Sequence, residues 1–343
     1  MAGQRAAAAL LLGTAAFSTL SAEFSREVHL QLAPTVLKIE AAVPGRYSIG
    51  SAVVVGPEHV VTSCHVTRQA VAIAVLRGGL RHPVTGQRSD LNHDLCLLHV
   101  PGLDAAPAML GLSTSLHRRD PVLAIGYTGG LGLQFSEGEV VGLHRLDGGA
   151  VIQSNNWFTS GASGGGLFDS GGRLVGILTF RLRGGEVHYY SAPVDWLRAL
   201  LDVPDTPAEI PVAPLAGLTF WERRDADQLP FLRAAALAQS ADWVALQALS
   251  QRWAQAEPDS SEPQRQLGLA LERQDRGDEA VLAYQRALAL DPLDALAWQQ
   301  LGLLQLRLGQ REAARISLAR LQALDAAAAE PLATALGTVE KAP

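Results

Sequence analysis

Three short segments carry side chains whose chemistry is complementary. Val60-Val-Thr-Ser-Cys-His65-Val is a β-branched run containing a histidine near its end. Asn92-His-Asp94-Leu-Cys-Leu-Leu puts an aspartate before an apolar run, and Thr159-Ser-Gly161-Ala-Ser163-Gly-Gly165-Gly sets a serine in a glycine cluster. Separately each has an ordinary explanation: a satisfied histidine, a turn-forming aspartate, a glycine hairpin. Together they supply what nucleophilic acyl transfer needs. A serine hydroxyl is a poor nucleophile at neutral pH and needs a positioned imidazole to take its proton. The charge that develops on the attacked carbonyl oxygen needs backbone N–H donors, and glycine best tolerates the turn that aims them outward.

These segments must be positioned by the elements around them. Short β-branched runs separated by Gly, Pro and Asp turns recur from about Ala33 to Leu178. They include Thr35–Glu40, Ser48–Val55, Val60–Ser63, Val71–Leu76, Pro121–Gly126, Glu139–Leu143, Ala150–Ser154 and Leu174–Phe180. Such spacing, without intervening helical patterns, predicts an antiparallel all-β barrel or sandwich. One helical pattern, Pro193–Leu201, closes the region. A Pro-rich stretch over 203–228 then reads as an extended linker. Beyond it, over 229–335, the composition turns to Ala, Leu, Gln and Arg with helical periodicity. Leu267-Gly268, Ala280 and Ala287 realign on Leu301-Gly302, Ala314 and Leu321, a period of about 34 residues that marks tetratricopeptide repeats. A more degenerate copy precedes them around Asp242–Pro258.

Histidine, aspartate and serine follow one another in the chain order of chymotrypsin, not that of subtilisins or α/β-hydrolases. The segments around His65, Asp94 and Ser163 resemble the signatures of trypsin-fold serine proteases, in particular the HtrA/Deg group. The resemblance extends to Ser48-Ile-Gly-Ser-Ala-Val-Val-Val, Pro121-Val-Leu-Ala-Ile-Gly126 and Leu174-Val-Gly-Ile. It implies two six-stranded antiparallel barrels over residues 30–202, with the site in the cleft between them. It also implies that His65 is the general base, that Asp94 fixes its tautomer, and that Ser163 is the nucleophile. Gly161 and Ser163 would then donate the oxyanion-hole N–H groups. Substrate would be bound by residues just before that loop and by the strand after it, namely Trp157, Ile177, Leu178 and Thr179. No acid stands at Trp157, where digestive members place their specificity residue, so an apolar or small side chain at the cleavage site is expected.

Two departures qualify the resemblance. Ala162 replaces the usual Asp or Asn, which removes activation by a newly freed amino terminus, and Gly166 replaces Pro or Ala and is expected to loosen the loop. No PDZ-like segment follows residue 202; the helical repeats stand there instead. Gly161-Ala-Ser163-Gly-Gly165 also satisfies the nucleophile motif of α/β-hydrolases. That fold needs an acid and then a histidine after the serine, and His188 is the only histidine beyond Ser163. The rival that stays open is an inactive protease fold acting as a peptide-binding scaffold through its repeats.

Composition bounds the rest. Of the 343 residues, 48% are hydrophobic and 18% charged, an ordinary globular balance, and the net charge of −6 gives no basic field for nucleic acid. Arg5 followed by the apolar stretch Ala6–Phe17 reads as a signal peptide over 1–22, cleaved after Ala22 or Ala16. The mature form is expected in the periplasm or secreted, without a membrane span. The two cysteines, Cys64 and Cys96, are too few for a disulfide framework. Two small buried thiols are the favoured reading, with a bridge as the alternative that export permits. Neither a metal site nor a cofactor is expected. The expected partners are a polypeptide substrate and, through the repeats, a second protein or another copy of the chain.

Overall fold

Strand β1 (Val36–Val43) shows how the β-branched runs are read by the fold. Its buried residues include Ile39, Ala41 and Val43, which alternate with partly exposed ones, the pattern of a strand with one face on a core. The computed structural model describes residues 24–129, 132–182, 188–201, 210–223 and 228–340. The leader expected over 1–22 lies outside the described residues. These residues form two units, one holding the β-sheets and the other the helical hairpins.

In the first unit, helix α1 (Arg26–Leu32) precedes β1, β2 (Arg46–Gly56) and β3 (His59–Ser63). The single-turn helix α2 (Cys64–Thr67) follows, then β4 (Ala72–Arg77), β5 (Leu80–Pro83), β6 (Gly86–Asp90) and β7 (Leu95–His99). A second set comprises β8 (Pro121–Tyr127), β9 (Leu133–Leu146), β10 (Gly149–Ser154), β11 (Gly166–Asp169), β12 (Leu174–Leu182) and β13 (His188–Pro193). Helix α3 (Val194–Leu201) and the short β14 (Ile210–Pro211) complete it. The second set closes into a six-stranded antiparallel barrel in the order β10-β13-β12-β11-β8-β9. The first set departs from the six strands expected: it is an eight-stranded sheet in the order β14-β6-β7-β3-β2-β1-β4-β5.

The extra strand comes from the stretch read as linker. Ile210 and Pro211 pair with Gln87 and Gly86 at the edge of β6, and an edge strand is where a sheet tolerates proline. The buried Gln87 amide then donates to the Ala213 carbonyl (2.8 Å), and Leu215 N–H donates to the Arg68 carbonyl (2.6 Å). Residues 210–215 are therefore part of the first unit and not a free connector; 203–209 and 224–227 lie outside the described residues.

The second unit stacks helical hairpins. They are α4 (Pro230–Gln239) with α5 (Trp243–Ala256), α6 (Glu262–Glu272) with α7 (Gly277–Leu290), and α8 (Ala295–Arg307) with α9 (Arg311–Leu324), followed by α10 (Ala326–Glu340). The recurring Leu-Gly pair has a packing reason. A Cβ on Gly268 would lie 2.7 Å from the Tyr284 ring, and one on Gly302 would lie 2.3 Å from Leu332. Only glycine lets these neighbours approach so closely. The stretch read as a degenerate copy, around Asp242–Pro258, forms helix α5, which the Asp242 carboxylate caps on Ala245 N–H; Asp294 likewise caps α8 on Ala297 N–H.

Candidate active site

His65 lies in α2, immediately after β3, and Asp94 lies at the entry to the neighbouring strand β7. Antiparallel pairing sets Ser63 opposite Leu95, and the ladder continues as Cys64 N–H donates to the Asp94 carbonyl (3.1 Å). Asp94 is fully buried and adopts φ +62°, a left-handed conformation that Asp tolerates better than most residues. Its carboxylate grips His65 twice: Oδ1 accepts from the His65 backbone N–H (2.8 Å) and Oδ2 bonds ring Nδ1 (2.7 Å). A carboxylate only accepts, so Nδ1 carries the proton in this pair. The His65 side chain is 21% exposed, open to a reactant while its partner is sealed.

Ser163 comes from the loop before β11. Its hydroxyl donates to the Thr179 carbonyl (3.2 Å), and two contacts bring it beside the segment that carries His65. Ser63 Oγ donates to the Leu178 carbonyl (3.1 Å), next to Thr179. Gly50 in turn fills the gap between Val66 and the Ser163 carbonyl, where a Cβ would fall 2.6 Å and 3.1 Å from them.

The N–H groups of the loop fall into two classes. Those of Ala162, Gly164 and Gly165 donate to the carbonyls of Thr159, Leu178 and Ala162. Among the described residues, the N–H groups of Gly161 and Ser163 have no such acceptor. The Ser160 carbonyl accepts from Gly129 N–H (2.7 Å), and in a trans peptide this turns the Gly161 N–H to the opposite side. Gly161 has φ +100°, and a Cβ there would meet the Tyr127 carbonyl at 2.5 Å. The position therefore admits only glycine on two counts. Burial pushes the Tyr127 phenol above its ordinary value.

A cavity of about 110 Å³ is bordered by Gly126, Phe135, Trp157, Phe158, Leu178 and Ala162, the residue before Ser163 in the chain, among others. No charged side chain borders it among the described residues. Of the four residues expected to bind substrate, Trp157 and Leu178 line it. Ile177 is fully buried in β12, and Thr179 contributes the carbonyl beneath the Ser163 hydroxyl.

Several details differ from the sequence reading, each for a packing reason. Cys64 and Cys96 are joined in a disulfide with Cα atoms 4.9 Å apart, not present as free thiols. Pairing sets Cys96 opposite Thr62 and Leu95 opposite Ser63, and the chain turns into α2 at Cys64, which brings the two cysteines within bonding reach. Gly166 does not loosen the loop. It belongs to β11, where a Cβ would strike the Phe168 ring at 2.4 Å. Ala162 points into the apolar core of the second barrel with Val122, Val140, Phe158 and Leu178, where an unpaired carboxylate would be costly. Reasoning from sequence also missed the loop Tyr127–Gly129, although the Thr128-Gly-Gly after an apolar run was a visible turn signal.

Against known proteins, residues 50–177 match the trypsin-like peptidase domain. Those residues form a trypsin-like peptidase domain. The peptidase domain is followed by a tetratricopeptide repeat region, matched over residues 261–304. Among curated proteins the chain is 29% identical over 185 residues to Protease Do-like 1, chloroplastic, of Arabidopsis thaliana. That match covers 50% of this chain and 42% of the relative, so the chain spans less than half of that protein's length. Among solved structures it is similar to the active form of the Rv3671c protease from M. tuberculosis, at 21% identity and a TM-score of 0.50. The similarity covers 54% of this chain and 87% of that one, and it carries the fold. An HtrA-type protease, AlgW with tripeptide, is 28% identical with a TM-score of 0.47, covering 51% of this chain and 61% of that one.

Proposed function

We propose that the chain is an exported serine endopeptidase that cleaves peptide bonds through an acyl-enzyme. In this reading Ser163 Oγ attacks the scissile carbonyl while His65 Nε2 takes its proton. Asp94 holds the imidazole tautomer and stabilises the imidazolium, and His65 then protonates the leaving amine. The N–H groups of Gly161 and Ser163 receive the charge on the tetrahedral oxygen. Water repeats the sequence to release the acid.

One observation carries the reading: the buried Asp94 carboxylate holds His65 by two hydrogen bonds, and in the same unit the loop of Ser163 leaves the N–H groups of Gly161 and Ser163 without a backbone acceptor among the described residues. The cavity bordered by Trp157 and Ala162, with no charged side chain on it among the described residues, favours an apolar or small residue before the cleaved bond. The disulfide supports export to an oxidising compartment, the periplasm or the medium. Among the described residues no helix is long and apolar enough to cross a membrane. The repeats supply a surface for a protein partner, a polypeptide substrate or a second copy of the chain.

Active-site labelling tests the proposal. A fluorophosphonate probe should label the wild-type chain and leave Ser163→Ala unlabelled. A folded wild-type chain that takes up no probe and cleaves no peptide library would refute it.

A further inference from the structure

Ser51, on β2 of the first sheet, is fully buried, and both its backbone and its hydroxyl reach across to the loop that carries Ser163. Its N–H donates to the Ser163 carbonyl (2.8 Å). Its hydroxyl donates to the Gly161 carbonyl (2.8 Å) and accepts from Tyr127 N–H (2.8 Å). Its own carbonyl accepts from the Thr62 hydroxyl (2.7 Å). Glycines make this approach possible: a Cβ on Gly164 would lie 2.1 Å from the Ser51 carbonyl oxygen.

Gly161 is the residue whose N–H must face the substrate, and as a glycine it has no side chain to fix its two flanking peptides. Each is pinned by one bond. The Ser160 carbonyl is held by Gly129 N–H, and the Gly161 carbonyl by the Ser51 hydroxyl. With both carbonyls anchored, φ and ψ of Gly161 are set, and its N–H is aimed before substrate arrives. Without the Ser51 hydroxyl, the Gly161 carbonyl and Tyr127 N–H lose this shared partner. Rotation of the glycine peptides would then compete with the productive geometry.

We infer that Ser51 is a positioning residue for the oxyanion donors, acting from the first sheet through the Gly161 carbonyl. The inference rests on the serine-endopeptidase reading above and adds a residue to it. It requires that preorganised donors matter more in the transition state than in the bound substrate, so turnover and not affinity should respond.

The full-length chain with Ser51→Ala and with Ser51→Thr tests this on a fluorogenic peptide and on a peptide aldehyde, whose adduct places an oxygen at the donors. Ser51→Ala should lower kcat by about 10²-fold, the scale of losing one oxyanion donor, with KM unchanged within about threefold. Aldehyde affinity should fall with kcat. Ser51→Thr keeps the hydroxyl and should retain most of the turnover. Equal losses in both variants, or a fall in kcat/KM carried by KM, would overturn the inference. So would a Ser51→Ala chain that melts below the assay temperature, since the hydroxyl would then serve the sheet junction. A wild-type chain that fails to label at Ser163 defeats the endopeptidase reading, and the inference falls with it. A labelled wild type with an equally active Ser51→Ala defeats the inference alone.

Discussion

The bond between Cys64 and Cys96 closes a loop with a sequence separation of 32 residues, and both His65 and Asp94 lie inside it. Chain entropy gives the expected effect of leaving the bond unmade. For a loop of that length the denatured state regains freedom worth about 3.7 kcal/mol at 25 °C. For a domain of this size each kcal/mol moves the midpoint by roughly 2–4 °C, so the peptidase domain should melt about 10 °C lower when folded with its thiols reduced. The site should suffer less than the stability. Val61–Leu97 and Thr62–Cys96 remain paired, and both bonds from Asp94 to His65 are independent of the sulfurs. Turnover per folded molecule should therefore stay within about threefold at temperatures well below the lowered midpoint. Calorimetry on chain refolded with and without dithiothreitol reads the first effect, with thiols counted under denaturing conditions. Active-site-titrated kinetics read the second. A midpoint shift under about 2 °C would refute the loop-entropy argument. A tenfold loss of turnover in the folded, reduced chain would show that strand pairing alone does not hold the dyad.

Three further outcomes follow from the geometry. Gly161→Ala must accommodate a Cβ 2.5 Å from the Tyr127 carbonyl at φ +100°, and should cut kcat by about 10²–10³-fold; turnover within threefold of wild type would contradict the assignment of its N–H. Trp157 is 58% exposed on the cavity wall, so Trp157→Asp should be tolerated and raise kcat/KM for substrates with Lys or Arg before the cleaved bond by about tenfold, read from a peptide-library profile. In the repeat unit, burial and the Glu272 carboxylate raise the Tyr284 phenol far above its ordinary 10.0. The folded state then keeps a proton that the unfolded chain loses, so stability is full below pH 10 and declines above it. Tyr284→Phe should flatten that alkaline decline in melts between about pH 9 and 11, at a cost of about 1–3 kcal/mol at neutral pH from the lost bond to a carboxylate.

The parts of the fold legible in sequence were those with a strong local pattern. β1, β2, β8 and β12 are apolar runs, and the repeats announce themselves by recurring Leu-Gly pairs whose glycines admit a ring or a leucine. Gly161 was recognisable because a donor loop needs a residue free of Cβ strain. The sequence said less where structure depends on a distant partner. β5 and β6 are short and polar, and they hold only because β4 and β7 pair with them. β14 looks like linker because two residues of Ile-Pro have no pattern, and its partner Gln87 is more than a hundred residues away. The disulfide required the register of β3 against β7, which spacing alone does not fix. Ser51 lay in an apolar run where one small polar residue carries no local signal; the partners of its hydroxyl and N–H, Tyr127, Gly161 and Ser163, come from the barrel strands and loop far along the chain.

Ala162 gives the oxyanion loop an unusual kind of independence. In place of a carboxylate latched to a cation, the loop is fastened by apolar packing and by neutral bonds from Ser51 and Gly129. Between 0.01 M and 1 M salt the distance over which charges feel one another shrinks from about 30 Å to about 3 Å, which would weaken an exposed ionic latch but leaves these contacts nearly untouched. A loop fastened this way keeps its shape in surroundings whose ionic strength the protein does not control, from dilute medium to brine.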